Sequence, residues 1–380
     1  MEFKWTEDHI AFRRKLRSAL DELLPSDWPV FSKGYDNGSD TVVEFSRTFC
    51  PELAKRGLLI PHWPTQYGGG GLDAYYHWIL GEEMWRNGEP RAYQYMSVNW
   101  VGPAILKYGT EDQKDFHIPR ICEGVISYCQ GFSEPNAGSD LASLTTKATP
   151  RPGGYLISGQ KIWTSAASFA DYCVLLARTG AERSKGISVL LVPMDLPGIE
   201  VRIIPSLQGQ RSLHEVFFND VEIDASALLG DENGGWNIVR HILSHERVGA
   251  PGYALIWRGF ARALELMRQR GRFEGEAVRE RAARCEAALC ATRVMTLQTV
   301  DRRARGEELD DTVNFAKFHG AEAARMVGDF LTDYAPDLVL EDPIIGVVFR
   351  RGASAGIVAG ATEVQLDLIS RRVLELPRGF

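Results

Sequence analysis

Several things are missing from this chain, and each absence narrows what it can be. No apolar run approaches the roughly eighteen residues of a membrane-crossing helix, and no charged-then-apolar leader opens the chain. Cytoplasm is therefore the expected location, with no membrane partner. Six cysteines (Cys50, Cys122, Cys129, Cys173, Cys285, Cys290) lie scattered, without CxxC pairs or interleaved histidines. That spacing supports buried free thiols rather than a disulfide framework or a zinc site, and no metal is expected. A basic excess is lacking too: the formal net charge is −7, which argues against general nucleic-acid binding. The sequon Asn37-Gly38-Ser39 means little without a secretory signal. Internal repeats and low-complexity segments are absent.

What is present is ordinary globular material, with 44% hydrophobic and 24% charged residues. At 380 residues the chain exceeds the usual limit of one core, so two or three packed units are expected. The pattern along it changes twice. Up to about residue 125 it reads helical: Phe12, Leu16, Leu20, Leu23 and Leu24 recur at helical spacing, and Pro25 stops the run. A second helix is expected over 73–87, and Thr110-Glu111-Asp112 caps the start of a third. Between 126 and 232 short β-branched and aromatic runs alternate with Gly, Pro and Asp turns (155–157, 172–177, 187–192, 201–204, 215–218). From Trp236 helical periodicity returns, to about 295, again over 312–332, and in a last helix over 363–376.

The expectation is a multi-domain α+β protein: an N-terminal helical domain (1–125), a middle β-barrel or stacked-sheet domain (126–232) and a C-terminal four-helix bundle (233–380). Gly69-x-Gly71-x-x-Ala74 matches a loose dinucleotide fingerprint. No strand precedes it and no βαβ unit surrounds it, so it counts as a false match.

Two segments carry the chemistry. Gly131-Phe132-Ser133-Glu134-Pro135-Asn136-Ala137-Gly138-Ser139-Asp140 places small and hydroxyl residues where a backbone can approach a large anionic ligand. Ser133 and Ser139 can donate hydrogen bonds, Gly138 removes an obstructing Cβ, and Asp140 is positioned to cap the next turn. Taken alone, an ordinary Ser/Asx-rich turn explains it almost as well. Gly159-Gln160-Lys161-Ile162-Trp163-Thr164-Ser165 ends a strand with an indole beside two hydroxyls, suited to a planar heteroaromatic ring; a lone Trp163 would more often be core.

Together these segments resemble the flavin-contacting part of the acyl-CoA dehydrogenases. The likeness extends over nearly the whole chain, through Trp63-Pro64…Tyr67-Gly68-Gly69, Tyr108-Gly109-Thr110…Gln113-Lys114, Leu229-Gly230…Gly234-Gly235-Trp236 and Thr362-Glu363-Val364-Gln365. The resemblance implies FAD as cofactor, an acyl-CoA substrate and an electron-transfer flavoprotein as acceptor. It implies that Ser133 bonds the pyrimidine side of the flavin and that Ser139 meets the pyrophosphate or the ligand. Trp163 would pack on the isoalloxazine and Ser165 would approach N5, with Gln130, Phe132, Gly138, Thr164, Thr362 and Glu363 also at the cofactor. Phe132 and Gln130 stand where the family has an aliphatic residue and a Tyr or Phe.

The reaction so implied removes a proton α to a thioester carbonyl, which needs a placed carboxylate. Many family members carry it before the last helix, where this chain has Ala359, which accepts no proton; its backbone N–H still suits the thioester oxygen, with Gly360 beside the substrate. Members similar to isovaleryl-CoA dehydrogenase place the base on an earlier helix, directly before an arginine. Leu243-Ser244-His245-Glu246-Arg247 fits that pattern, making Glu246 the expected base and Arg247 a contact to CoA. A solvated helix carboxylate and a surface ion pair are the bland alternatives. His245 is read as structural. Tyr95 and Asn99 fall where the family lines its acyl pocket, although helix packing explains the same residues.

One region departs from the pattern. Family members lend an Arg-x-x-Phe-Gly…Gln stretch and a Gly-Gly-x-Gly loop to a neighbour's flavin. Arg270 and Phe273 keep the start, but Glu274 replaces the glycine, and the loop aligns with the glycine-free residues 331–336. Either a homo-oligomer with an adapted contact or a heterotetramer with a related subunit follows. The competing functions are a flavin oxidase on the same fold and a non-catalytic or half-site subunit.

Overall fold

The computed structural model describes residues 5–32, 38–249, 251–307, 313–358 and 360–377, with the side chains of 209–212 and 247–249 outside the description. The chain forms two compact units, one of residues 1–36, 72–90 and 246–380, the other of 37–71 and 91–245. The segment 72–90 thus clusters with the C-terminal helices rather than with its sequence neighbours.

In the first unit, helix Glu7–Leu23 starts at Thr6, whose hydroxyl accepts from His9 N while the His9 ring accepts from Thr6 N. Its stripe of Leu16, Ala19 and Leu20 is buried, as the spacing predicts. Helix Ala74–Arg86 is buried all round from His77 to Trp85, which brings two carboxylates inside. They are held by guanidinium groups. Arg13 reaches Glu82 (2.7 Å) and Glu83 (2.5 Å), Arg17 chelates Glu83, and Arg293 donates to Glu82 at 2.8 Å. Tyr253 Oη adds a further bond to Glu82 at 3.0 Å. With four donors the ion pairs offset the cost of removing these charges from water. Helices Tyr253–Gln269, Glu276–Ala304, Val313–Tyr334 and Pro343–Ser354 pack as a four-helix bundle. Phe260 and Phe330, both fully buried, meet edge to face at 5.3 Å in its core.

The second unit joins helices to a sheet. Thr110 caps the start of helix Glu111–Cys122 as expected, and the Gln113 side chain returns a bond from Thr110 N. Gln113 Nε2 then donates to Ser226 O (2.7 Å) and Leu228 O (2.9 Å), so the cap also fastens this helix to the end of the sheet region. The sheet comprises β1 (Tyr128–Gly131), β2 (Lys147–Arg151), β3 (Gly154–Ser165), β4 (Tyr172–Arg178), β5 (Ile187–Pro193), β6 (Ile199–Ser206), β7 (Gly209–Asp224) and β8 (Leu228–Leu229). They run in one hydrogen-bonded order, β6-β7-β3-β2-β4-β5-β8, with β1 added alongside β4. Strands β4 and β5 are buried on both faces, which is why they read as unbroken apolar runs.

The middle strands fall where the alternation places them, with the 215–218 run inside the longer β7. Three strands, β1, β2 and β8, and helix Asp40–Lys55 had no signal strong enough to read. The last helix is shorter than its periodicity implies: Thr362–Leu368 passes into a π-helical turn, Ile369–Val373. Among the described residues no helix is long and apolar enough to cross a membrane, and no His/Cys/Asp/Glu group is arranged for a metal ion.

Candidate active site

The two chemistry-bearing segments lie side by side in the second unit. β1 runs parallel to β4 with Gln130 opposite Val174 and Gly131 opposite Leu175. A Cβ on Gly131 would sit 2.7 Å from Cys173 Sγ, so only glycine lets the strand end here. Beyond it Phe132 is buried and Ser133 half-buried. Glu134 and Ala137 exchange two backbone hydrogen bonds (2.9 and 3.0 Å), closing a turn across Pro135 and Asn136. Past the turn the surface opens: a Cβ on Gly138 would meet nothing within 4 Å, and Ser139 is exposed. Asp140 does not cap the following turn with its side chain; its carboxylate pairs with Arg183 instead.

Opposite, the register between β3 and β7 breaks between Lys161 and Thr164. At this bulge Trp163 takes φ +60° and leaves its indole 56% exposed. A left-handed aromatic residue inside a strand costs about 1–3 kcal/mol, and such outliers concentrate where a ligand is gripped. The bulge re-aims the ring out of the sheet while Thr164 stays buried, its carbonyl bonded to the His214 ring at 3.1 Å. Ser165 is exposed beside the indole.

The segments are tied to each other directly. Ile162 N donates to Ser133 O at 2.9 Å. Lys161, fully buried, donates from Nζ to Phe132 O (3.1 Å) and to Glu134 Oε1 (2.8 Å). The Glu134 carboxylate also accepts from Thr145 N (2.6 Å), Thr145 Oγ1 (2.8 Å) and Thr146 N (2.8 Å). Burial alone would raise the pKa of Glu134. The charge and hydrogen bonds of Lys161, with those of Thr146 and Thr145, outweigh it and bring it down to about 2. Burial lowers the pKa of Lys161, and Glu134 opposes that shift. Because the folded-state carboxyl titrates below its ordinary value near 4.5, its stabilisation is complete above that pH and lost as pH falls toward about 2. Acid unfolding followed by circular dichroism is expected to steepen across that window, and Glu134→Gln to flatten it; an unchanged acid limb in that variant contradicts the ionised pair.

Two polar atoms in these segments are buried with no hydrogen-bond partner among the described residues: Gln130 Oε1 and Thr164 Oγ1. With an exposed indole, an open Gly138 and two accessible hydroxyls, they fit a planar ligand that carries its own hydrogen-bonding edge and a phosphate tail. An FAD meets that description. Nearby in sequence, the chain forms a π-helical turn at Ser97–Val101, a deviation often found at functional sites. Asn99 Nδ2 donates to Tyr95 O (2.6 Å), leaving Asn99 Oδ1 buried and without a partner among the described residues, and the Tyr95 ring stands edge-on to Trp100. Of the two residues expected at the acyl pocket, Asn99 lies within this turn and Tyr95 two residues before it.

The remaining candidates lie at the first unit's edge or within it. Helix Gly235–Gly249 carries Glu246, half-buried, and His245, whose Nδ1 bonds to His241 O at 3.0 Å. The side chain of Arg247 and all of Ala359 lie outside the described residues. Gly360 takes φ +91°, and its carbonyl accepts from Gln365 Nε2 at 3.4 Å. Thr362 N bonds to Gly356 O, Glu363 is exposed, and Gln365 is buried with Oε1 without a partner among the described residues.

Arg270 is committed within its own chain. It donates to Asp337 (2.7 Å) and Glu341 (2.6 Å), while Arg272 chelates Asp337 through two 2.7 Å bonds. The Arg272 hydrogen bonds first, with Arg270 in support, pull the Asp337 carboxyl down to about 2. Phe273 is covered by the Arg268 guanidinium at 4.7 Å. Residues 331–336 form no loop: helix Val313–Tyr334 gives way at Ala335 to helix Pro336–Glu341. Sequence reading missed Asp337 and Glu341 because they lie 65 or more residues from their partners. It missed the Lys161–Glu134 pairing as well, although the two residues stand within the quoted motifs.

Comparisons with known proteins identify the family. Models of the acyl-CoA dehydrogenase N-terminal, middle and C-terminal domains match residues 6–125, 129–221 and 233–374. The acyl-CoA dehydrogenase IpdE1 of Mycobacterium tuberculosis is 32% identical over 98% of this chain and 99% of its own. The Tcur3481-Tcur3483 steroid ACAD superposes with a TM-score of 0.90 at 30% identity, covering all of both chains. The ChsE4-ChsE5 complex from M. tuberculosis gives 0.88 at 28%, again over both full lengths. This chain belongs to the acyl-CoA dehydrogenase family. It has that family's fold, and the family's enzymes are flavoprotein oxidoreductases with FAD as cofactor.

Proposed function

We propose that the chain carries out the α,β-dehydrogenation of an acyl-CoA thioester to the trans-2-enoyl-CoA. The observation that carries this reading is the locked pair of segments 130–139 and 161–165, with unpartnered Gln130 Oε1 and Thr164 Oγ1 beside the exposed Trp163 indole. FAD, when bound, would supply the acceptor for the hydride of the β carbon. Ser133, Gly138, Ser139, Thr164 and Ser165 hold and orient it, with Trp163 against the ring and Phe132, Thr362 and Glu363 completing the contact.

Glu246 takes the α proton. That proton is only weakly acidic, so the developing negative charge on the thioester oxygen needs a donor, and the Ala359 backbone N–H supplies it. Arg247 binds the CoA portion, Gly360 lies against the thioester, and Tyr95 and Asn99 line the acyl pocket. A ring-bearing acyl group is favoured by the description of one relative as a steroid ACAD. Electrons then pass to an electron-transfer flavoprotein.

The assembly reading is a heterotetramer with a related chain. In-chain capture of Arg270 and Arg272 by Asp337 and Glu341 supports it, because these guanidiniums are already neutralised rather than offered to a neighbour's pyrophosphate. The two structural relatives above are described as two-chain complexes, which points the same way.

One measurement tests substrate class and chemistry together. Protein purified with its cognate second chain is expected to show flavin absorption and to bleach with an acyl-CoA carrying a polycyclic ring, more readily than with straight-chain acyl-CoAs. Bleaching by none of the panel contradicts the dehydrogenase reading. Rapid oxygen consumption without added acceptor would indicate an oxidase instead.

A further inference from the structure

We infer that Lys161 and Glu134 act as a positioning couple for the flavin: Lys161 fixes the carbonyl of Phe132 and so the placement of Ser133, and the two opposite buried charges balance each other beside the ring. The inference rests on the reading of segments 130–139 and 161–165 as flavin-facing. Neither residue is expected to touch the cofactor.

Lys161 is the residue that bonds both flanks of Ser133, the Phe132 carbonyl on one side and the Glu134 carboxylate on the other. Ser133 O is itself held by Ile162 N, the next residue along β3. Three consecutive residues of the loop are therefore pinned to two consecutive residues of the strand that ends in Trp163. Moving either segment moves the other. Glu134 in turn is fixed by both Thr145 and Thr146, so the couple is anchored to the residues leading directly into β2 rather than floating in the loop.

The charges carry a second consequence. Lys161 is fully buried and Glu134 nearly so, in surroundings where an unbalanced charge acts over several ångströms with little screening. Reduction adds negative charge to a flavin. A lone buried cation nearby would favour reduction and a lone buried anion would oppose it, whereas the intact pair does neither. A couple whose only role is to stabilise the fold would not move the midpoint potential in opposite directions when its two halves are removed in turn.

The test uses the flavin-loaded wild-type protein with its cognate second chain, compared with Lys161→Met, Glu134→Gln and the double variant. Lys161→Met is expected to lower the flavin midpoint potential and Glu134→Gln to raise it. The double variant is expected to return the potential to the wild-type value, because its charges are again balanced. It is also expected to release flavin on the order of tenfold more readily, because the tie to Phe132 is gone. If a single variant fails to fold, the double decides: replacing both buried charges with uncharged groups of similar size is commonly tolerated. Single variants that shift the potential in the same direction, or a double variant that holds flavin as tightly as wild type, would overturn the inference. A wild-type complex with no flavin would instead sink the reading of the site, and the couple with it.

Discussion

Glu246→Gln is expected to keep its flavin and still bind acyl-CoA, yet to lose bleaching by substrate by roughly 10²–10⁴-fold, the usual range for removing a general base. The amide preserves the size and much of the hydrogen bonding of the carboxylate but cannot accept the α proton. Stopped-flow absorbance separates the steps, because binding perturbs the flavin spectrum before reduction bleaches it. The competing bases are few. The position used by many relatives is Ala359, which has no proton-accepting side chain. His245, one residue away, has its Nδ1 bonded to the His241 carbonyl on its own helix. His245→Ala should therefore bleach at close to the wild-type rate. Near-normal reduction in Glu246→Gln, or its loss in His245→Ala with flavin and fold intact, would remove Glu246 from the mechanism.

The second large effect concerns the partner. Purified alone, this chain is expected to hold far less than one flavin per polypeptide. Co-expression with the related second chain should restore about one flavin per pair of unlike chains, since a charged pyrophosphate needs cationic donors that this chain has already neutralised. Absorbance ratios and analytical ultracentrifugation read both quantities. Asp337→Ala offers an internal check. It frees Arg272 and leaves Arg270 with Glu341 alone, so flavin retention by the isolated chain should rise. Full occupancy in the isolated wild-type chain would rule out the two-chain arrangement.

Much of the architecture was legible because its signals are local. The Thr110 cap, the stop at Pro25 and the uninterrupted apolar runs of β4 and β5 each declare themselves within a few residues. β1 and β2 did not. A four-residue strand such as Tyr128–Gly131 has too short a pattern to distinguish from a loop, and its pairing with β4 depends on residues far along the chain. The same distinction applies to the site. Motifs 131–140 and 159–165 were readable as composition, and so was the lost glycine loop at 331–336. The replacement of that loop by a helix junction at Ala335, and the capture of Arg270, depend on contacts that spacing does not encode.

That junction has an evolutionary consequence. In a self-sufficient oligomer the surface that serves a neighbour and the cleft that receives help drift under one selection, because every copy needs both. Under the two-chain reading proposed above, the surface built from Arg270 and residues 331–336 has stopped giving, while segments 130–139 and 161–165 still receive. Two sister chains built this way become mutually dependent: once one has stopped giving, the other is no longer free to stop, and neither can be lost alone.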